Sequence, residues 1–454
     1  MDLAGKNVVV MGLAMSGTAV VRFLSRRGAN ITATDLKTEA DLGGPLEEIK
    51  DIRVELALGG HPDEIFLNAD LVVVSPGVPR DSPPLQKALQ RGIEVVSELE
   101  LGFRHLDAPV LAVTGTNGKT TTVSLAGGIM KKALGEDNVF VGGNVGTPLV
   151  QACDREVPCR AAVIEVSSFQ LEFAKTLKPK AAVMLNVSAD HLDRYRDFRD
   201  YAETKSRIFS NQDSSDFAVI NTDDPVAKNM VRNINSSLMT VSLSREPQGR
   251  GMWLSGDGLY YQGAEGKELF LETGRVPLAG RHNLVNVMAA ACACFTMGAE
   301  LAEARRAVES FAGLPHRTEL VAEIEGVKYY NDSKATNPGA VEAAVSGMPG
   351  PLILLMGGQA KGCHFRELSE RIRGKVRQVI AFGECRDQLS SEMNGLLVQK
   401  AEDMAEALSL ARKTAGPGDT VLLSPGCASF DRFNDYKHRG EVFKELVKED
   451  AHVD

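Results

Sequence analysis

The chain has 454 residues, 43% hydrophobic and 24% charged, a composition that supports packed cores and excludes a disordered chain. Its 51 Lys and Arg are outnumbered by 60 Asp and Glu, and the net charge of −9 excludes a global attraction for nucleic acid or an anionic membrane. Seven scattered cysteines, none in a CxxC, argue against a disulfide framework or a zinc site and for a reducing cytoplasm.

No apolar run approaches the roughly 18 residues of a membrane span, and the length suits about three domains. Short Val/Ile-rich runs alternate with amphipathic helical stretches throughout, the pattern of α/β units on parallel sheets. In the first hundred residues the predicted strands are Asn7–Leu13, Asn30–Asp35, Arg53–Gly59, Leu71–Gly77 and Glu94–Ser97. A second series runs through PVLAVTG from Pro109, Val139–Asn144, Ala161–Ser168, Ala181–Val187 and Phe217–Asp224. The Gly- and Tyr-rich stretch Arg245–Pro277 reads as a small antiparallel patch, followed by two helices and a hinge at Gly313–Arg317. A third series holds PLILLMGG, VRQVIAFG and DTVLLSPG, and closes on a polar helix, Arg439–Glu449. Boundaries are expected near residues 96 and 312, which gives domains 1–96, 97–312 and 313–454.

The most informative segment is LAVTGTNGKTTT, Leu111–Thr122. A strand runs into a glycine-rich turn, then Lys119 and Thr120, then a helix expected to begin near Thr121. Such a loop points backbone N–H groups and a helix N-terminus at phosphate oxygens, with the lysine on the terminal phosphates and the threonine hydroxyl on Mg²⁺. A plain glycine turn before a helix shares part of this pattern, but not the Lys-Thr pair. The turn Gly12–Gly17 resembles a dinucleotide loop with Ala14 in place of the middle glycine, and Asp35 ends the next strand. A loop of this kind alone is weak evidence, with a tight turn in an inert domain as the lesser alternative; beside the ATP-type loop a second nucleotide group is expected, but with Ala14 not an intact NAD site.

Glu165 stands near a strand end, where an acid holds Mg²⁺ or makes a salt bridge. His191 also follows a strand, and a lone His there is more often structural than functional. On composition Lys205 is a surface charge. Three polar turns in the last series, NDSKATNP (Asn331–Pro338), MGGQAKG (Met356–Gly362) and SPGCASFDRF (Ser424–Phe433), follow apolar strands and suggest one substrate-facing rim.

Taken in order, TGTNGKTT, GGNVG, EVSSFQLE, LNVSADHLDRY, the Lys205 helix, GRHNLVN, GLPHRTE, NDSKATNP and SPGCASFDRF resemble the Mur ligases, the ATP-dependent amide ligases of bacterial peptidoglycan synthesis. The resemblance spans essentially the whole chain, and NDSKATN with the SPxCAS turn points to the D-glutamate-adding branch. It implies an α/β fold of three domains: a Rossmann-like N-terminal domain for the UDP substrate, a central P-loop ATPase domain with a parallel sheet, and a Rossmann-like C-terminal domain for the amino acid. It implies ligation of D-glutamate to UDP-MurNAc-L-Ala through an acyl phosphate, by a cytoplasmic monomer without nucleic-acid partners.

By the same resemblance Gly115, Thr116, Asn117, Gly118, Lys119, Thr120 and Thr121 hold ATP, and Asn283, Asn286, Arg317 and Asp332 hold its adenosine and phosphates. Thr120 and Glu165 would hold one Mg²⁺, and His191 with a carbamate-bearing Lys205 a second. Asn144 and Ser167 face the substrate. Ser16, Asp35, Lys37, Ser75, Pro76 and Gly77 would hold the uridine diphosphate, and Lys334, Thr336, Lys361, Ser429, Phe430 and Tyr436 the D-glutamate. Leu36 and Gln359 depart from some relatives, which carry a polar and an acidic residue there. An oxidoreductase would use only the N-terminal turn, and a catalytically idle nucleotide-binding regulator would lack one of Lys119, Glu165, His191 or Lys205.

Overall fold

Alternation along the apolar runs decides how the sheets are covered. The computed structural model describes residues 1–190 and 194–449, except the side chain of Asn233. In the strand Asn7–Met11, Val8 and Val10 enter one apolar cluster while Val9 and Met11 enter another on the opposite face. Leu71–Val74 divides in the same way, as does Leu352–Gly357, whose Leu352, Leu354 and Met356 oppose Ile353 and Leu355. Strands buried on both faces read as continuous Val/Leu/Ile runs and need helices on either side.

Among the described residues three sheets form. The first has five parallel strands in the spatial order Glu55–Leu58, Asn30–Asp35, Asn7–Met11, Leu71–Val74, Glu94–Ser97. The order reverses between Asn7–Met11 and Leu71–Val74, so a crevice opens beyond the carboxyl ends of those two, where the Gly12–Gly17 and Ser75–Gly77 turns lie. The second sheet has nine strands. Val110–Thr114 lies between Ala161–Glu165 and Ala181–Met184, with Val139–Gly143 beyond the former and Phe217–Asn221 and Ser237–Ser242 beyond the latter.

The predicted antiparallel patch exists as Gly251–Ser255, Gly258–Gln262 and Lys267–Glu272, but it is not separate. Gly251–Ser255 pairs in parallel with Ser237–Ser242, so the patch extends the nine-stranded sheet. The third sheet, of six strands, runs Glu319–Ile324, Val327–Asn331, Thr420–Leu423, Leu352–Gly357, Val376–Phe382, Leu397–Lys400, with only the first pair antiparallel.

Several predicted strands stop short of their expected ends. Asn7–Leu13 ends at Met11 and Leu71–Gly77 at Val74, because Gly12 takes φ +94° and Ser75–Gly77 turns the chain. The last helix starts earlier than expected, spanning Tyr436–Glu449. Helix starts follow local capping chemistry: the side chains of Ser97, Asp224, Asn337 and Asp403 each accept a backbone N–H of the following first turn, worth about 1 kcal/mol apiece.

By its contacts the chain forms two compact units. One holds Met1–Thr273 with Val285–Glu309, and the other holds Gly274–Leu284 with the chain from Ser310 onward. Within the first unit, the helix Glu98–His105 carries Glu100, a fully buried carboxylate. It accepts the N–H groups of Lys175, Thr176 and Leu177, the Thr176 hydroxyl and Arg104 Nε at 2.6–3.1 Å. Five donors satisfy a charge that would otherwise be costly to bury, and those at Lys175–Leu177 fix this helix to the segment leading into Ala181–Met184 of the nine-stranded sheet.

Candidate active site

Three loops leave the carboxyl ends of adjacent strands in the nine-stranded sheet: Gly115–Gly118, the segment after Glu165, and Leu185–Asp190. The first turns sharply into the helix Lys119–Leu134, two residues before the expected start. Gly118 adopts φ +87°, and a Cβ there would fall 2.4 Å from Asn286 Oδ1, so this corner of the loop accepts only glycine. Asn186 holds the loop from the neighbouring strand. Its carbonyl accepts Thr116 N–H (2.9 Å), its Oδ1 accepts Asn117 N–H (2.8 Å), and its Nδ2 donates to Asn117 O (3.0 Å). Asn186 was not singled out from sequence; its signal is an amide side chain just past the strand in LNV.

Beside this loop, Thr120 Oγ1 donates to Glu165 Oε2 at 2.7 Å, and Asn144 Nδ2 donates to Glu165 Oε1 at 3.0 Å. Glu165 is buried. A hydroxyl, a carboxylate and an amide oxygen are the hard donors that suit Mg²⁺. Ser167 caps the next short helix by accepting Gln170 N–H. Among the described residues no three His, Cys, Asp or Glu cluster as a metal site, and His191 lies outside the described residues.

Lys119 Nζ donates to Gly115 O at 3.0 Å and to Thr116 O at 2.9 Å. Lys205 Nζ donates to the same Gly115 oxygen at 2.9 Å. The surface charge suggested by composition is therefore wrong: Lys205 is 2% exposed, because the helix Phe198–Ser206 turns this position inward over the Tyr201 ring. Burial, and then repulsion from Lys119, push its amine well below the ordinary lysine range, against the pull of Asp190 and Glu165.

In the five-stranded sheet, Ser75 Oγ donates to Gly12 O at 2.8 Å, and a Cβ on Gly17 would fall 1.9 Å from that same oxygen. The turn is thus closed by contact between its two glycines, despite Ala14. Asp35 Oδ2 accepts Leu13 N–H (2.7 Å) and Oδ1 accepts Lys37 N–H (2.9 Å), so its carboxylate orders both loops at the sheet switch point. Ser16 and Pro76 are half-buried there, Gly77 and Lys37 are exposed, and Leu36 is 70% exposed.

Two arginines that sequence reasoning passed over join this loop region to the nine-stranded sheet. Arg194 donates to Pro76 O (3.0 Å) and Val78 O (2.7 Å) and pairs with Glu172, and Arg80 pairs with Asp200 on the Lys205 helix.

In the second unit the three polar turns lie at the carboxyl ends of three adjacent strands, Val327–Asn331, Thr420–Leu423 and Leu352–Gly357. Gln359 and Ala428 exchange backbone hydrogen bonds, joining two of them. Lys334 Nζ sits 3.9 Å from the Tyr436 ring centroid and Lys361 Nζ 4.8 Å from that of Phe430, which is 62% exposed. Ser429 is buried and Thr336 half-buried. Asp332 is buried, accepts Ser424 Oγ (2.9 Å) and Thr318 N–H (3.1 Å), and is pushed up to about 7 by burial. Arg317 lies near enough to oppose that rise, and Asn283 donates to Ala279 O at 2.7 Å. Asn286, in the first unit, accepts the Thr122 hydroxyl beside Gly118.

The family profiles cover most of the chain. The Mur ligase MurD-like N-terminal domain matches residues 6–97, the Mur ligase middle domain 113–294, and the Mur ligase glutamate ligase domain 316–427. A curated relative from Geobacter metallireducens is 43% identical over 448 residues, covering 98% of both chains. The chain belongs to the Mur ligase family. That Geobacter relative, and one from Desulfosudis oleivorans at 44% identity covering 98% of this chain and 97% of its own, are named UDP-N-acetylmuramoylalanine--D-glutamate ligase. A solved pseudomurein peptide ligase type C from Methanothermus fervidus shares the Mur ligase fold with a TM-score of 0.63, at 19% identity over 98% of this chain and 100% of its own. Mur ligases use ATP, and among the described residues no helix is long and apolar enough to cross a membrane.

Proposed function

We propose that this Mur ligase joins D-glutamate to UDP-MurNAc-L-Ala with cleavage of ATP, in a cytoplasmic step of peptidoglycan precursor synthesis. The observation that carries this reading is the cluster in which Lys119 and Lys205 share the Gly115 carbonyl beside the Thr120–Glu165 pair. Residues 1–96 would hold the UDP substrate, 97–312 ATP, and 313–454 the amino acid, in a monomer.

Joining a carboxylate to an amine is uphill in water, so the carboxylate is first phosphorylated to an acyl phosphate that the amine then attacks. Two anions meet in the first step, and the protein must align them and neutralise charge. Lys119 would move from its own loop carbonyls onto the terminal phosphate oxygens, and the N-terminus of the helix Lys119–Leu134 would face the nucleotide phosphates. Thr120 and Glu165 would hold Mg²⁺, with His191 and a carbamylated Lys205 at a second ion. Mg²⁺, when bound, supplies charge neutralisation at the phosphoryl oxygens. Asn144 would keep the Glu165 carboxylate oriented, and Asn186 would keep the phosphate loop open.

In the C-terminal pocket, Lys334 and Lys361 supply two cations and Ser429 and Thr336 two hydroxyls. That set suits an amino acid with two carboxylates, whereas a diaminopimelate pocket also needs a partner for a distal ammonium. ADP release with UDP-MurNAc-L-Ala, scanned across D- and L-amino acids, should show turnover with D-glutamate and hardly any with L-glutamate or diaminopimelate. Comparable turnover with L-glutamate would overturn the pocket assignment.

Asp35→Ala tests the other end. Its carboxylate holds two backbone N–H groups of the turns proposed to take the uridine diphosphate. Losing those charge-assisted bonds, worth about 1.5–3 kcal/mol, should raise KM for the UDP substrate roughly tenfold or more. KM for ATP should change far less in steady-state kinetics. An equal rise in both would mean that the two nucleotides do not occupy separate sites.

A further inference from the structure

The largest fully buried side chain among the described residues is Arg439, and it lies in the helix that the sequence pattern reads as polar. Its accessible fraction is 0%. The guanidinium donates from Nε to Ser333 Oγ (3.0 Å), from Nη2 to Ser333 O (2.8 Å), and from Nη1 to Cys427 O (3.1 Å) and Gly357 O (3.3 Å). Ser333 Oγ in turn donates to Tyr436 O at 2.8 Å. These acceptors belong to all three polar turns and to the first turn of the helix itself.

The fit is close. A Cβ on Gly358 would approach Nη1 to 3.0 Å, and Gly358 holds φ +128°. None of the four recorded acceptors is a carboxylate. Asp431 is the acidic residue whose charge favours the cation, and its Oδ2 is already accepting Glu384 N–H at 3.1 Å. Burial lowers Arg439 to about 10, which leaves it cationic at neutral pH. A buried charge whose hydrogen bonds all go to neutral oxygens is expensive, and a purely structural clamp is built at lower cost from apolar side chains.

We propose that Arg439 is a positioning residue for the amino-acid substrate: it fixes the loops bearing Lys334, Lys361 and Ser429 in one register, and its charge favours an acceptor that brings carboxylates. The proposal deepens the reading of this pocket as the amino-acid site and rests on it. Only a planar fork with several donors reaches three carbonyls and a hydroxyl at once, so lysine is not an equivalent replacement.

The test compares wild type, Arg439→Lys and Arg439→Met as full-length proteins. Three KM values and the Tm are measured for each, with the Tm shift produced by saturating D-glutamate. Arg439→Lys is expected to raise KM for the amino acid about tenfold, with Arg439→Met larger, while KM for ATP and for the UDP substrate stays within about twofold. The stabilisation by D-glutamate seen in wild type should be lost in Arg439→Met. An amino-acid KM within about twofold of wild type, or a common rise in all three KM values, would overturn the proposal.

If neither variant folds, Ser333→Ala removes only the hydroxyl that Nε contacts and should raise the amino-acid KM about threefold; an unchanged KM would again count against the proposal. The two readings separate in the wild-type control. No turnover with D-glutamate would sink the proposed substrate, and the Arg439 comparison would then be read with whichever amino acid wild type accepts.

Discussion

Lys119→Ala is expected to lower ligation by about 10³-fold or more, equivalent to roughly 4 kcal/mol of lost transition-state stabilisation. The phosphoryl group passes between two anions, so a cation beside it is stronger in the transition state than in the ground state. Lys119 is placed for this by a loop that Asn186 holds through the N–H groups of Thr116 and Asn117. The variant should remain folded, because Lys119 is half-buried and donates to carbonyls of its own loop, Gly115 O and Thr116 O. Binding of the UDP substrate, followed by calorimetry or a fluorescent analogue, should survive, since the turns proposed to take it belong to the five-stranded sheet. A variant that kept a tenth of wild-type activity would remove Lys119 from the chemistry.

What could be read in advance was what local chemistry dictates. The glycine loop, Lys119, Thr120 and the strand-end Glu165 carry their meaning in spacing, and the strands that bury both faces advertise themselves as unbroken Val/Leu/Ile runs. The three polar turns of the last series were legible as one rim because each follows an apolar strand, and those strands are adjacent in the sheet. Contacts made across the fold were not legible. Asn186, Arg194 and Arg439 act on loops 69, 118 and 106 residues away; Asn186 has only its place just past a strand as a signal, and nothing in the neighbourhoods of the two arginines distinguishes them from ordinary polar residues.

The antiparallel patch was foreseen, but its attachment was not, since a parallel pairing between Ser237–Ser242 and Gly251–Ser255 depends on register with a strand already in the sheet. Composition failed most clearly at lysine and arginine. Lys205 and Arg439 sit in helices with strongly polar sequences, yet both are buried, because one position in such a helix can face inward while its neighbours stay wet.

Lys205→Ala is expected to lose nearly all ligase activity while remaining folded. Two ammonium groups cannot comfortably donate to one carbonyl oxygen inside a protein, yet Lys119 and Lys205 both reach Gly115 O. The conflict is relieved if Lys205 is neutral. A neutral amine adds CO₂: its nitrogen forms the N–C bond and gives up a proton, leaving a carbamate anion. So modified, the side chain would end in a carboxylate-like group at a reach that Asp or Glu on this helix could not match. Its sign would change from one that repels Mg²⁺ to one that attracts it, and attracts Lys119 as well.

An ordinary solvated lysine would tolerate alanine with little loss, but this one is buried over Tyr201. Alanine takes one amine off the Gly115 carbonyl and leaves that acceptor to Lys119, so the fold should hold, as circular dichroism and the Tm would register. Partial recovery of activity on adding a small carboxylate such as acetate would identify the missing negative charge as the cause. A fully active Lys205→Ala enzyme, or clear density for a bare ammonium beside two bound Mg²⁺ ions, would sink the assignment.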